Sequence, residues 1–248
     1  MKHLIINADD CGLSCRVNKG IEEAIMAGII SSTTIMANMD DFEGAVRLYK
    51  EYKNRISFGW HINLTEGESL IRSQILLDKG FLKEINGKVL FNGQSFRKKL
   101  ITGEMAREIR RELVAQWEKL HDNGIEITHV DSHHHIHTTW SMLFIMPSLF
   151  NELRISRCRH LKNYGVTGTD YICRQLWALP FKMYGIRMTE TMGDFATYYK
   201  NSTLRQGKTI ELECHPGHPN PKYQTEMELL NSTDFSDWNA SLITYKEI

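Results

Sequence analysis

No apolar run in this 248-residue sequence approaches the roughly 20 residues that a membrane-spanning helix needs, so no membrane partner is expected. The opening stretch Met1-Lys2-His3-Leu4-Ile5-Ile6-Asn7 lacks the charged region, apolar core and small-residue cleavage site of a signal peptide. The default expectation is therefore a cytoplasmic protein. An excess of one charge is lacking too, because 30 basic residues balance 30 acidic ones. Nucleic-acid binders usually carry a basic excess or stripe, so no nucleic-acid partner is expected. The densest basic run, Arg97 to Lys99, is short and reads as a solvated helix face. Cysteine is sparse: five residues, at 11, 15, 158, 173 and 214, with no repeated C-x-x-C pair. That pattern argues against a disulfide framework or a structural zinc site. Cys11 and Cys15 are four residues apart beside an acidic pair, and we read them as two reduced thiols in a loop rather than joint metal ligands. Internal repeats and low-complexity linkers are also absent.

The sequence does have an ordinary globular composition, with 42% hydrophobic and 24% charged residues. Its apolar segments alternate in period. Residues 3–8 read as a buried strand, Asp9 to Ser14 as a loop, and Val17, Ile21, Ala24 and Ile25 as one face of a helix closed by Gly28. Ser32 to Ala37 reads as a strand, Asp41 to Tyr52 as a helix, and Ile56 to Leu64 as a strand. The segment 65–100 breaks this rhythm and reads as an insertion, either a lid or a substrate rim. Glu104 to Asp122 follows as a helix with Ile109, Leu113, Trp117 and Leu120 on one face. Glu126 to Asp131 and Thr209 to Cys214 read as strands, with weaker candidates at Ile155 to Arg159 and Gly185 to Thr189. Strands alternating with helices imply parallel pairing through crossovers. The expectation is an α/β fold of about seven parallel strands in one domain over 1–248, a length compatible with a single barrel.

The polar residues of interest fall where such a fold builds sites. Asp9 and Asp10 follow the first strand, His61 sits near the end of the third, a histidine cluster follows another strand, and His215 follows the last. Carboxyl ends of parallel strands share one face. A lone Asp-Asp pair reads as a turn or cap, and a lone strand-end histidine as a hydrogen-bonded core residue. The run from His129 to His137 is different, with five histidines and one aspartate in nine residues. Packing accounts for it poorly and a metal site is the favoured reading, with a polar core network or a solvent-exposed metal-scavenging loop as the alternatives. In extended chain His133, His135 and His137 would share one side and leave His134 on the other. Asp131 and nearby histidines would then orient the ligands through their second ring nitrogens, so Asp131, His135 and His137 are candidates for that supporting role. Trp60, Trp140, Phe195 and Tyr198 are candidate stacking surfaces for a ring substrate, with Trp140 favoured by its place after the histidine loop. Asn63, Thr65 and Glu66 are rim candidates.

The segments NADDCGLS, GWHINLTEG, THVDSHHHIH and CHPG together resemble the YdjC-like carbohydrate deacetylases, over residues 3 to about 217. The resemblance implies a distorted, incomplete (β/α) barrel related to polysaccharide deacetylases. It also implies removal of N-acetyl groups from small amino-sugar oligosaccharides such as acetylated chitobiose. By the same resemblance Asp10, His61 and His133 are the metal ligands, Asp9 is the base and His215 the acid. Arg159 matches a family arginine near the site, and we place it with Trp140 on the substrate. The cofactor expected is one divalent ion, zinc or magnesium. Two imidazoles and a carboxylate suit zinc, cobalt, iron or nickel better than magnesium, although magnesium is often named for the family. The partner expected is a small N-acetylated sugar. A homodimer is the assembly that enzymes of this size often adopt. The sequence departs from the family at Cys11, where phenylalanine is usual, and in the insertion at 65–100. Competing readings are another metal-dependent hydrolase, a phosphoesterase or amidohydrolase, and a sugar- or metal-binding relative without turnover. The late position of the histidines argues against an amidohydrolase. Asp9 and His215, which binding alone does not need, argue against a binding module.

Overall fold

The first apolar run forms the central strand of the molecule, β1 (Lys2–Cys11). In the computed structural model, which describes residues 2–93, 96, 99, 101–201 and 207–248, six further strands join it in one sheet. They are β2 (Ser32–Ile35), β3 (Ser57–Ile62), β6 (Val130–Ser132), β7 (Thr191–Asp194), β8 (Thr209–Cys214) and β9 (Ala240–Leu242). The order is β6-β3-β2-β1-β8-β7, with β9 beside the start of β1, and every pairing is parallel. The sheet curls into a half-barrel flanked by helices, as the α/β expectation required. The segment 157–164 bridges its two edges. Val130 pairs with Cys158 and Arg157 with Arg187 as isolated bridges, and the amides of Asn163 and Tyr164 donate to the Met192 carbonyl at 3.0 Å.

The main helices are α1 (Cys15–Ala27), α2 (Phe42–Tyr52), α3 (Gln74–Asp78), α4 (Gly103–Asp122), α5 (Met146–Glu152), α6 (Gly168–Met183), α7 (Phe195–Lys200) and α8 (Pro221–Asn231). Ser14 caps α1 by accepting from the Val17 amide, and Gly28 ends it with φ of 71°. That is the left-handed cap expected from the sequence. The 65–100 segment contributes α3 and an antiparallel hairpin of β4 (Leu82–Ile85) and β5 (Lys88–Phe91). Leu76, Phe81, Val89, Phe91 and Phe96 bury into the main core. Arg97 and Lys98 of the basic run lie outside the described residues.

The two faces of the sheet differ in chemistry. Leu4, Ile6, Ala8, Phe58, Trp60, Ile62, Ile210 and Leu212 face the helices and belong to one continuous apolar core. The alternate positions Asn7, Asp9, Thr34, His61, Asp131, Glu211 and Glu213 face the barrel interior and are all buried. Towards the amino end of the barrel, Ile5, Ile243 and Tyr245 form a small separate cluster. There the Tyr245 ring stacks on His129 at 3.6 Å between centroids, and its hydroxyl donates to Glu211.

Several sequence expectations need correcting. β1 runs through Asp9 and Asp10 to Cys11 instead of stopping before them. The stretches 155–159 and 185–189 pair only through isolated bridges, whereas β7, β9 and the helices α5, α6, α7 and α8 were not read. The strand read at 126–131 begins only at Val130. Among the described residues no helix is long and apolar enough to cross a membrane.

Candidate active site

Two adjacent carboxylates on a regular strand would point to opposite faces. Here the register of β1 against β2 shifts between Ala8 and Cys11, and Asp10 adopts φ of 68°. Aspartate tolerates the left-handed region better than most residues. A bulge re-aims a side chain in this way, so both Asp9 and Asp10 line the same cavity. That cavity measures about 500 Å³ and lies at the carboxyl ends of the strands.

Asp10 meets two imidazoles: its Oδ1 lies 3.2 Å from His61 Nε2 and 2.9 Å from His133 Nδ1. One donor atom from each of the three residues falls within 4.8 Å of the others. Asp10 Oδ1 is buried, and although both imidazole nitrogens are close neither meets it in hydrogen-bonding geometry. Burial opposes ionisation of Asp10, but the two imidazoles outweigh it and hold its carboxyl well below the usual range. Burial likewise opposes protonation of His61 and His133, yet the carboxylates around them push both upward. The negative surroundings that retain protons on these rings also favour a divalent cation. The residues therefore fit a metal ion: two imidazole nitrogens and one buried carboxylate oxygen. Asp131 holds His61 from behind, with Oδ1 2.6 Å from Nδ1. The other oxygen of Asp131 accepts from Thr34 at 3.0 Å. This is the carboxylate–histidine support common behind metal ligands. Glu66 approaches the outer nitrogen of His133 at 3.6 Å and that of His134 at 3.7 Å.

Asp9 has a different neighbour. Both terminal nitrogens of Arg159 donate to its two oxygens at 2.7 Å. Arg159 is 0% exposed and also reaches Asp131 at 2.9 Å, Glu211 at 2.6 Å and Glu213 at 3.5 Å. One guanidinium thus serves four carboxylates. Burial works against the charge on Asp9, but Arg159 dominates and keeps the carboxyl far below its ordinary value. Burial instead prevails at Glu211, which is pushed up to about 7 despite Arg159 and the Tyr245 hydroxyl. Burial also opposes the charge on Glu213, but His135 and Arg159 hold it down to about 2.

His215 follows β8 on a turn packed tightly on α1. A Cβ on Gly20 would lie 2.5 Å from the Gly217 amide nitrogen, and one on Gly217 would lie 2.4 Å from the Arg16 carbonyl. Both positions need glycine for this approach. The His215 ring stacks on Tyr223 at 4.0 Å. Glu226 accepts from the His215 amide at 2.9 Å and lies 3.4 Å from its Nδ1. Burial opposes protonation here too. The Glu226 contact and the charges of Asp9, Asp10 and Glu213 outweigh it and hold the imidazole up to about 9.

The structure brings Asp9, Asp10, His61, His133 and His215 to one cavity. It does not place every candidate there. Trp140 is 78% exposed and off the cavity wall. Arg159 is sealed behind the carboxylates, where it positions them and does not reach a substrate. Trp60, Phe195 and Tyr198 are core residues. Residues 133–138 form a turn and not an extended chain, with His134 and His135 at φ of 52° and 53°, so the alternation expected for the histidines fails. His135 pairs with Glu213 at 3.4 Å. His137 is buried 2.5 Å from Ser132 Oγ, away from the ligands it was expected to support. Cys11 is buried and Cys15 exposed, and neither joins the site. Glu211, Glu213 and Glu226 were not anticipated. The first two had a signal, since acidic residues at alternate positions of an otherwise apolar strand share one buried face.

The model of the YdjC-like protein family matches residues 3–241. A carbohydrate deacetylase of Brevibacillus brevis is 39% identical, with 99% of each chain covered. A chitooligosaccharide deacetylase of Yersinia enterocolitica is 34% identical, covering 93% of this chain and 91% of its own. A crystal structure of an Enterococcus faecalis V583 protein superposes with a TM-score of 0.76 at 20% identity, covering 99% of this chain and 98% of that one.

Proposed function

Because the chain belongs to the YdjC-like family, we propose that it is a metal-dependent carbohydrate deacetylase that hydrolyses N-acetyl groups on small amino-sugar oligosaccharides such as acetylated chitobiose. One observation carries the reading. The bulge in β1 turns adjacent carboxylates into one cavity but gives them different neighbours, Asp10 facing two imidazoles and Asp9 a buried guanidinium. Relatives named carbohydrate deacetylase and chitooligosaccharide deacetylase support the substrate class.

Asp10, His61 and His133 would hold the divalent ion. Two nitrogens and one oxygen favour zinc or a similar borderline metal over magnesium. When bound, the ion supplies polarisation of the amide carbonyl and acidification of water. Asp9, locked by Arg159 in its ionised form, accepts the proton of the attacking water. The arginine clamp fixes the direction of that carboxylate at some loss of basicity. His215, protonated through most of the neutral range, donates to the departing amine nitrogen. Asp131 and Arg159 hold these groups in place. The products are acetate and a free amino sugar.

The direct test is acetate release from N,N′-diacetylchitobiose and N-acetylglucosamine, with and without chelator, beside elemental analysis of the purified protein. Asp9→Asn is expected to keep its metal and fold while losing roughly 10²–10⁴-fold in turnover. Near-normal turnover in that variant would remove Asp9 from the chemistry. Full activity in chelator would remove the metal.

A further inference from the structure

The active-site cavity carries a second cluster of metal-type donors at its outer edge. Glu66, His133 and His134 all line it, and one donor atom from each lies within 4.8 Å of the others. His133 belongs to both clusters. Its Nδ1 faces Asp10 at 2.9 Å, whereas its Nε2 faces Glu66 Oε1 at 3.6 Å. Nε2 is buried, and no group meets it in hydrogen-bonding geometry. The same Glu66 oxygen stands 3.7 Å from His134 Nε2. The left-handed backbone at His134, with φ of 52°, folds its ring back beside His133, 4.0 Å between centroids.

The spacing separates two readings of Glu66. A carboxylate that only orients a metal-bound imidazole closes to hydrogen-bonding distance, as Asp131 does behind His61 at 2.6 Å. Glu66 instead stands off from two rings by nearly the same amount. Two ligands on one zinc ion, with bonds of about 2.0–2.1 Å at a tetrahedral angle, lie about 3.4 Å apart. That is close to both separations. The buried Nε2 needs no opening of its own, because an ion shared with Glu66 sits in the gap between the two atoms. Its route is through the more open ligands, since the side chains of Glu66 and His134 are 47% and 33% exposed.

The hydrogen bonds around the cluster prepare its donors. The Thr65 hydroxyl donates to Asn63 Oδ1 at 3.2 Å, so its oxygen accepts from His134 Nδ1 at 3.0 Å. That places the His134 proton on Nδ1 and a lone pair on Nε2. Asn63 also accepts from the Glu66 amide at 3.1 Å and donates to the Glu66 carbonyl at 2.8 Å, which pins the backbone from which the carboxylate extends. An imidazole held by its far nitrogen is the usual form of a metal ligand.

We propose that Glu66, His133 and His134 form a second zinc site at the outer edge of the cavity, sharing the His133 ring with the inner site of Asp10 and His61. Nδ1 serves the inner ion and Nε2 the outer one. The outer ion takes the place of the proton that Nε2 would otherwise carry, which passes to water, so it binds more weakly than the inner ion. Two nitrogens and one oxygen select a borderline metal here as well. Only the sharing of His133 rests on the metal reading of the inner site; the three outer ligands stand without it.

The test is equilibrium dialysis of the full-length protein against graded zinc, with bound zinc counted by elemental analysis. Two ions per chain are expected, one tight and one weaker, and a zinc-soaked crystal should show an anomalous peak between the three residues. Glu66→Gln and His134→Asn, the latter suited to the left-handed backbone, should each weaken the second ion at least about tenfold, since loss of even an indirect support costs about 10–100-fold. Both should leave the tight ion unchanged. Asp10→Asn should do the reverse, so a tight ion that survives Asp10→Asn counts against the inner site and not against this one. A single ion in wild type, or a second ion that survives both outer variants, would overturn the proposal. A tight ion weakened by Glu66→Gln with no second ion present would overturn it too, and would make Glu66 a support for His133.

Discussion

The two faces of the sheet are built from the same strands and do opposite jobs. Outward residues such as Phe58, Trp60 and Ile210 meet helices in a continuous apolar core. Inward residues one position away, such as Asp9, His61 and Glu211, meet one another and Arg159. Because the side-chain period of a strand is two, one sequence encodes a fold on its odd or even positions and a reactive site on the others. The cost of the inward face is electrostatic. Buried ion pairs rarely exceed their desolvation penalty, and removal of one partner is costly.

That contrast can be broken by a pair of substitutions. Phe58→Ala on the outer face should cost roughly 3–5 kcal/mol through the cavity it leaves, by nearly the same amount at every pH and with the metal site intact. Arg159→Met on the inner face should also cost roughly 3–5 kcal/mol, because four buried carboxylates lose their counter-charge. The pH dependence should separate the two. Arg159 depresses Asp9, so the stability from that pair is present above the ordinary aspartate value and is lost as pH falls through the depressed one. The deficit of Arg159→Met should therefore shrink in acid as its carboxylates take up protons, and divalent ion should rescue this variant more than wild type. Chemical denaturation at pH 8 and at a pH below the ordinary aspartate value of about 3.9 measures both. An Arg159→Met cost independent of pH would mean that the guanidinium acts mainly as packing.

A smaller effect should sharpen the division of labour within the inner face. Asp131 touches His61 and Arg159 but does not line the active-site cavity. Asp131→Asn should lower metal affinity by about 10–100-fold, the range usual for a carboxylate behind a metal-bound imidazole, while leaving most of the fold's stability. Competition with a fluorescent chelator reads this directly. Unchanged affinity would show that Thr34, 3.1 Å from the same His61 nitrogen, suffices to orient the ring.

The sequence disclosed the outer face of β1, β2, β3 and β8 and the helices α1, α2 and α4 readily, because periodicity reports burial. It disclosed the inner face only where residues were unusual for a strand end. Asp9, Asp10, His61, His133 and His215 stood out in this way. What decides their roles is conformation that period-2 reasoning does not contain: the left-handed Asp10 at the bulge, and the left-handed His134 and His135 that scatter the histidines to different partners. Arg159 was legible as a site residue but not as a buried hub, because its four carboxylates come from β1, β6 and β8 and meet only in the folded barrel. Trp140 shows the converse error, since nearness in sequence to the histidine run did not bring it to the cavity.

The smallest expected effect concerns Glu226, which lies on α8 outside both faces of the sheet and lines the active-site cavity beside His215, its hydrogen-bond partner. His215 is held up to about 9 against its own burial, chiefly by that carboxylate and by the charges of Asp9, Asp10 and Glu213. A raised histidine value means the associated stability is full below its ordinary value, near 6.5, and is lost as pH rises through about 9. If the protonated ring is the acid, activity should fall across the same alkaline range. A bound divalent ion works in the opposite direction, so the limb in the loaded enzyme should lie at or below about 9. Glu226→Gln keeps an acceptor for the His215 amide and removes a charge. It should move the alkaline limb of kcat/KM down by roughly one pH unit, the scale of one charge-assisted hydrogen bond, with little loss of rate at pH 6. A purely structural role for Glu226 would lower kcat/KM equally at all pH values and leave the limb where it was, so a full pH–rate profile distinguishes the two.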